Sequence, residues 1–180
     1  MRRGRAALKR PTPSADRDIQ LVAFRIGPET FGLPISAVRE IVRVPQITAV
    51  PNAPDYIEGV INLRGQIIPV MDLRKRFRAE STGFSKKSRI VVVELEERFI
   101  GLIVSSASEV LRIPPSEIED PHNVFREGEI DYITGVGKLK GRLVIMLDLK
   151  KILRQGELQI LGGAAAQDEP LLAGGIARNL

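Results

Sequence analysis

One segment of this chain is written twice. Asp55 to Phe77 (DYIEGVINLRGQIIPVMDLRKRF) aligns without a gap to Asp131 to Leu153 (DYITGVGKLKGRLVIMLDLKKIL). Asp-Tyr-Ile, Gly-Val, the leucine before the central glycine, that glycine, Asp-Leu and the following lysine recur unchanged, while Arg64 becomes Lys140 and Arg74 becomes Lys150. A second echo lies upstream of each copy. Phe31-Gly-Leu-Pro-Ile35 with Glu40-Ile-Val-Arg-Val-Pro45 matches Ile100-Gly-Leu-Ile-Val104 with Glu109-Val-Leu-Arg-Ile-Pro114. Two ordered blocks with matching glycines, prolines and acids mark an internal duplication, so any fold proposed for one half must suit the other.

Each copy reads as strand, tight turn, strand and helix start. In the first, Gly59–Leu63 and Gln66–Met71 are β-rich runs joined by Arg64-Gly65, and the glycine supplies the positive φ that a two-residue hairpin demands. Gly141 holds the equivalent turn position. Asp72 and Asp148 stand where an N-cap belongs, each able to accept from the free N–H groups of a helix opening one residue later. Pro69 cannot donate to a ladder, which predicts an edge or a bulge there.

The remaining segments complete a β-rich pattern. Gln20–Ile26 and Thr30–Leu33 form a strand pair across Gly27-Pro28-Glu29. Ser36 is expected to cap a short helix over Ala37–Ile41, followed by an extended stretch from Val44 to Val50. Residues 78–88 (RAESTGFSKKS) read as the linker between halves. Ser88–Leu95 and Arg98–Ser105 pair across Glu96-Glu97, Val110–Ile113 is a further strand, and Ser116–Asn123 is a loop or single helical turn. The total is about ten strands and three short helices, split evenly by the duplication, which suggests two small five-stranded β-barrels with a groove between them.

Val and Ile heavily outnumber the aromatics, which make up 4%, and Trp is absent, a composition suited to pleated sheets. Without cysteine there are no disulfides, thiolate metal sites or cysteine nucleophiles, which fits a reducing, cytoplasmic setting. No apolar run is long enough to span a bilayer. His122 stands alone in a proline-flanked loop, and no phosphate-cradling or metal-ligand spacing appears, so no catalytic residue, metal or cofactor is expected. Arg2, Arg3, Arg5, Lys9, Arg10 and Arg17 supply most of the net charge of +5. That leader reads as a disordered solubilising segment or as an arm for nucleic acid or an anionic membrane; no aromatic residue is interleaved to stack on bases. Leu158–Leu161 can extend the last helix, and the Ala/Gly-rich end reads as a flexible tail.

The residues that invite a functional reading are charges where strands meet turns. Arg64 sits at the tip of an apolar hairpin, and Glu40 is an acid beside Val38 and Ile41. Each is open to two readings, a solvated surface charge or one partner of a fixed acid–arginine pair whose remaining donors face a protein partner.

Residues 19–153 resemble the CheW family of chemotaxis coupling proteins. The resemblance rests on Phe31-Gly-Leu-Pro-Ile-Ser-Ala-Val-Arg-Glu-Ile41, on Pro51-x-x-Pro-x-Tyr-Ile-x-Gly59, and above all on Asn62-Leu-Arg-Gly65 through Pro69 and Asp72-Leu-Arg74. Tyr132-Ile-x-Gly135 and Ile145-x-x-Asp148 add the C-terminal part. It implies two five-stranded, SH3-like β-barrels around a shared core: a first barrel over about 19–80, a second over about 88–148 and a closing helix at 149–155, with a leader at 1–18 and a tail at 156–180. It also implies a non-catalytic scaffold without cofactor, monomeric alone, that joins the cytoplasmic tip of chemoreceptors to the regulatory domain of a CheA-type histidine kinase within receptor arrays beneath the inner membrane. Ile35, Val38, Glu40, Arg64, Gly101, Ala107 and Val110 would line the receptor groove, with Ala107 small for a surface that grips apolar side chains. A small nucleic-acid-binding barrel is the alternative; the segment from Ile19 to Gln155 carries only a small positive excess and keeps its aromatics in apolar runs.

Overall fold

The computed structural model describes residues 17–79, 83–126 and 131–153. Its strands are β1 (Ile19–Ile26), β2 (Glu29–Pro34), β3 (Val38–Arg43), β4 (Ile57–Leu63), β5 (Gln66–Asp72), β6 (Arg89–Leu95), β7 (Arg98–Val104), β8 (Ser106–Ile113), β9 (Ile118–Glu119), β10 (Ile133–Leu139) and β11 (Arg142–Leu147). Two one-turn helices, α1 (Leu73–Arg76) and α2 (Leu149–Ile152), follow β5 and β11. One sheet runs β8-β1-β2-β11-β10-β9 and the other β3-β6-β7-β5-β4.

The duplication is visible in this order. By the sequence echo, β1–β2 corresponds to β6–β7, β3 to β8, β4 to β10 and β5 to β11. Both sheets then share one strand order, but each takes its first hairpin from the opposite half. The contiguous barrels expected over 19–80 and 88–148 are therefore not what forms. The cause lies in the connections. β7 passes to β8 through Ser105 alone, one residue too few for a hairpin, and the Ser105 N–H bonds the Arg25 carbonyl of the other sheet at 2.9 Å. At the equivalent point after β2, Pro34 and the 3-10 turn Ile35–Ala37 lead the chain into the second sheet.

The repeat extends to irregularities. The parallel pairing of Val70 with Gly101 between β5 and β7 is matched by Met146 with Gly32 between β11 and β2. Bulges occur at Ile57/Gly59 and again at Ile133/Gly135. Pro69 lies opposite Val60, one step before the β5–β7 pairing begins at Val70, so its missing N–H falls at the end of that ladder. No assigned pairing joins β3 to β4 or β8 to β9, so the sheets curl without closing into barrels.

Three further expectations are corrected. Ala37–Ile41 is not a helix: only Ile35–Ala37 forms a 3-10 turn, Ser36 makes no capping bond, and Val38–Arg43 is strand β3 against β6. Val38, Ile41 and Val42 are β-branched, and a pairing edge was available to them. β8 begins at Ser106, well before Val110, and the segment after it contains the short strand β9 that brings the described strands to eleven. α2 ends at Ile152, with Leu153 as its C-cap. Residues 1–16 of the leader and everything from 154 onward lie outside the described residues.

Each sheet has its own apolar interior, Leu21, Ala23, Leu111, Ile113, Val144 and Met146 in one and Ile61, Ile68, Val70, Ile90, Val92 and Ile103 in the other. A larger cluster lies between them and draws on both halves, including Phe24, Leu33, Met71, Val91, Leu102, Leu147 and Ile152. Phe24, Phe31, Phe77 and Tyr132 form a run of stacked rings with centroids 6.1, 5.5 and 5.1 Å apart. Large aromatic area buried between the sheets ties them into one unit.

Candidate docking site

β3 and β4 are opposite edges of the five-stranded sheet, and its curl brings the β4–β5 turn back to β3. Arg64 and Gly65 have φ of 52° and 83°, a type I′ pair. The Asn62 side chain accepts from the Gly65 N–H at 2.8 Å and so fastens the turn. Thus held, Arg64 reaches across to Glu40. Its Nη1 donates to Oε1 at 2.9 Å and its Nη2 donates to Oε2, a two-pronged fork that bridges the open edges of the sheet. The hydrogen bond and charge of Glu40 raise the Arg64 pKa further above its ordinary value, against a small opposing effect of desolvation.

Arg64 remains 72% exposed in this pairing while Glu40 is 26% exposed. Three of the five guanidinium N–H groups are left for acceptors outside the molecule. The pair can therefore present a planar donor at a fixed angle, which a freely rotating turn cation cannot.

An apolar seam reaches the surface as well. Cross-strand rows run from Val110 to Val22 and Leu33 in one sheet, and from Ile41 to Val91 and Leu102 in the other; Leu33, Val91 and Leu102 belong to the shared core. The outermost residue of each row is exposed, Val110 at 53% and Ile41 at 38%, and Ile35 on the 3-10 turn is exposed at 41%. Ala37, Val38 and Ala107 pack on the rim of the same core. Ile41 is not among the residues that the resemblance assigns to the groove; its echo of Val110 is the signal in the sequence that points to it.

Gly101 does not join this surface. It is buried in β7, and a Cβ there would stand 2.8 Å from Ile90 Cγ2 and 3.3 Å from Val70 Cγ2. Its size is a packing requirement of the five-stranded sheet. Asp72 and Asp148 both cap their helices, accepting from Arg74 N at 2.9 Å and from Lys150 N at 2.9 Å. Asp72 does more, because it is fully buried and also takes the Arg74 side chain, Nε to Oδ1 at 3.0 Å and Nη2 to Oδ2 at 2.8 Å. Arg74 further donates from Nη1 to the Gly83 carbonyl at 2.6 Å and lies 5.2 Å from the centre of the Phe84 ring. His122 is exposed on a 3-10 turn, its N–H bonded to Asp120 Oδ1 at 2.8 Å.

Two curled sheets that repeat one strand order, a shared core, an exposed arginine fork and an apolar seam define a two-part, SH3-like β module. Residues 20–157 match the CheW-like domain. The chain is 32% identical over 146 residues to the chemotaxis protein CheW of Klebsiella aerogenes, covering 81% of this chain and 88% of that protein. With the chemotaxis protein CheW of Treponema pallidum it shares 33% identity over 155 residues, 84% and 91% of the two. The crystal structure of the scaffolding protein TtCheW from Thermoanaerobacter tengcongensis superposes with a TM-score of 0.71 at 38% identity, covering 78% of this chain and 95% of that one. The chain belongs to the CheW-like family.

Proposed function

We propose that this protein is a non-catalytic scaffold adaptor of chemotaxis signalling that couples the cytoplasmic tip of a chemoreceptor to the regulatory domain of a CheA-type histidine kinase. The observation that carries the receptor half of this reading is the Glu40–Arg64 fork, a bidentate pair that leaves its arginine 72% exposed; Ile35, Ile41 and Val110 add exposed apolar area on the same protein. An apolar helical hairpin would cover the seam while its backbone or side-chain oxygens take the free guanidinium donors. Val38 and Ala107 would shape the floor, and Gly101 would act only through packing. The kinase domain would use other surfaces. No helix among the described residues is long and apolar enough to cross a membrane, so placement at receptor arrays beneath the inner membrane would come through the partners.

The test is a binding titration of Arg64→Ala and Arg64→Lys against a receptor tip fragment and, separately, the kinase regulatory domain. Arg64→Ala should fold and lose receptor affinity by about tenfold or more, the scale for charge-assisted hydrogen bonds at an interface, with Arg64→Lys recovering part of the loss. Kinase affinity should change far less. A loss confined to the kinase domain would move Arg64 to the other interface.

A further inference from the structure

The register of β3 on β6 sets Arg43 directly opposite Arg89. Like charges facing each other across a strand pair are destabilising, and among the described residues no carboxylate pairs with either one. The two arginines open onto a cleft of about 490 Å³ whose walls also include Val44, Phe84, Ser85 and Lys86, and no acid among the described residues lines it. This cleft is distinct from the Glu40–Arg64 corner and shares no residue with it.

The floor is built before any ligand arrives. Arg89 Nη1 donates to the carbonyls of Lys86 and Ser88, both at 2.8 Å. The Ser85 N–H bonds Ser88 Oγ at 2.9 Å, the Lys87 N–H bonds Ser85 Oγ at 3.1 Å, and the Ser88 N–H bonds the Ser85 carbonyl at 3.1 Å. The buried Arg74 pins the approach through Gly83 and the face of Phe84. Because those backbone N–H groups are already satisfied, the cleft offers no amide nest of the kind that cradles a phosphate. It offers side-chain cations at separated points and an apolar wall, with Phe84 48% exposed.

We propose that this cleft is a docking site for an acidic, extended peptide segment of a protein partner. Carboxylates spaced along the segment would meet Arg43 with Arg89 at one point and Lys86 at another, and an apolar side chain between them would cover Phe84 and Val44. Charge complementarity favours this occupant: carboxylates would relieve the Arg43–Arg89 repulsion that the free protein carries. The proposal goes beyond receptor coupling and stands or falls independently of the Arg64 corner.

The full chain is titrated with a fluorescein-labelled peptide of repeated Glu-Glu-Leu, and melting temperatures are recorded alongside. Wild-type protein should bind with an affinity that falls as salt rises. Arg43→Glu and Lys86→Glu should each weaken binding about tenfold, the effect of replacing an attractive charged contact with a repulsive one. Arg112→Glu, the same charge change on exposed β8 of the other sheet, should leave binding unaltered. Arg43→Glu should at the same time raise the melting temperature, since the like-charge pair becomes an opposite-charge pair; a purely structural arginine would give the reverse. Equal weakening by Arg112→Glu would reduce the effect to net charge and overturn the site. So would unchanged binding in Arg43→Glu, or inorganic phosphate competing as well as the peptide, which would make the occupant a phosphate.

Discussion

The two duplicated hairpins have one backbone and two chemistries. Arg64-Gly65 and Lys140-Gly141 have nearly the same dihedrals, φ of 52° and 83° against 48° and 78°. In the first hairpin Asn62 fastens the turn by accepting from Gly65 N–H, and Arg64 forks onto Glu40. In the second, Lys138 replaces Asn62 and reaches away to Glu119 at 2.9 Å, a contact that raises its pKa through the hydrogen bond and charge of that acid. The echo of Glu40 is Glu109, and it is taken at 2.7 Å by Arg142 on β11 and not by the turn residue. The helix caps diverge likewise: Arg74 is buried on Asp72, while Lys150 is exposed. What stayed the same is what the chain needs to turn and to cap. What drifted are side chains that fasten one half to its linker or lie on the surface, so the differences between halves are the place to look for function.

Paired substitutions break this comparison most sharply where the halves differ inside the protein. Arg74→Ala leaves the Asp72 carboxylate buried without its counter-charge and should cost roughly 3–5 kcal/mol in denaturant unfolding, whereas Lys150→Ala at the exposed equivalent should fall within about 0.5 kcal/mol of wild type. Gly59 and Gly135 are next. A Cβ at Gly59 would lie 2.0 Å from the Thr48 carbonyl oxygen on a backbone with φ of 144°. At Gly135 it would meet the movable Ile118 Cγ2 at 2.9 Å. Gly59→Ala should therefore lose about 2–4 kcal/mol and Gly135→Ala less, by strain and overpacking. The turn glycines should behave alike: Gly65→Val and Gly141→Val each place a β-branched residue at positive φ with open space around it, costing about 1–2 kcal/mol. A large gap between those two, measured by thermal melts, would show that the turns are not equivalent.

Much of this was legible in the residues. The repeat, the two-residue turns and the aspartate caps depend on local chemistry, and local chemistry is written in order. The exchange of hairpins between sheets was not, because a duplication says which strands are alike and nothing about which half each pairs with. β3 was misread for a physical reason: Val38 and Ile41 stand three apart as on a helix face, and Ser36 precedes them like a cap. Strand pairing with β6 decided the matter, and that contact is remote in sequence. The sequence marks Arg74 as the counterpart of Lys150 and as part of the Asp72-Leu-Arg74 motif but not as buried, since its burial depends on residues beyond α1 folding back over it. Gly101 carried a groove role by resemblance, and its place inside the five-stranded sheet assigns it to packing.

The claim that the Glu40–Arg64 corner exists for recognition is tested most directly by exchanging its charges. In the double substitution Glu40→Arg with Arg64→Glu, the ion pair is retained but the guanidinium moves from the turn to β3. An exposed pair contributes little to folding, so the melting temperature should stay at the wild-type value. Affinity for a receptor tip fragment should nevertheless fall about tenfold or more, because the fork no longer points from the hairpin. Wild-type affinity in the folded, charge-exchanged protein would contradict the account.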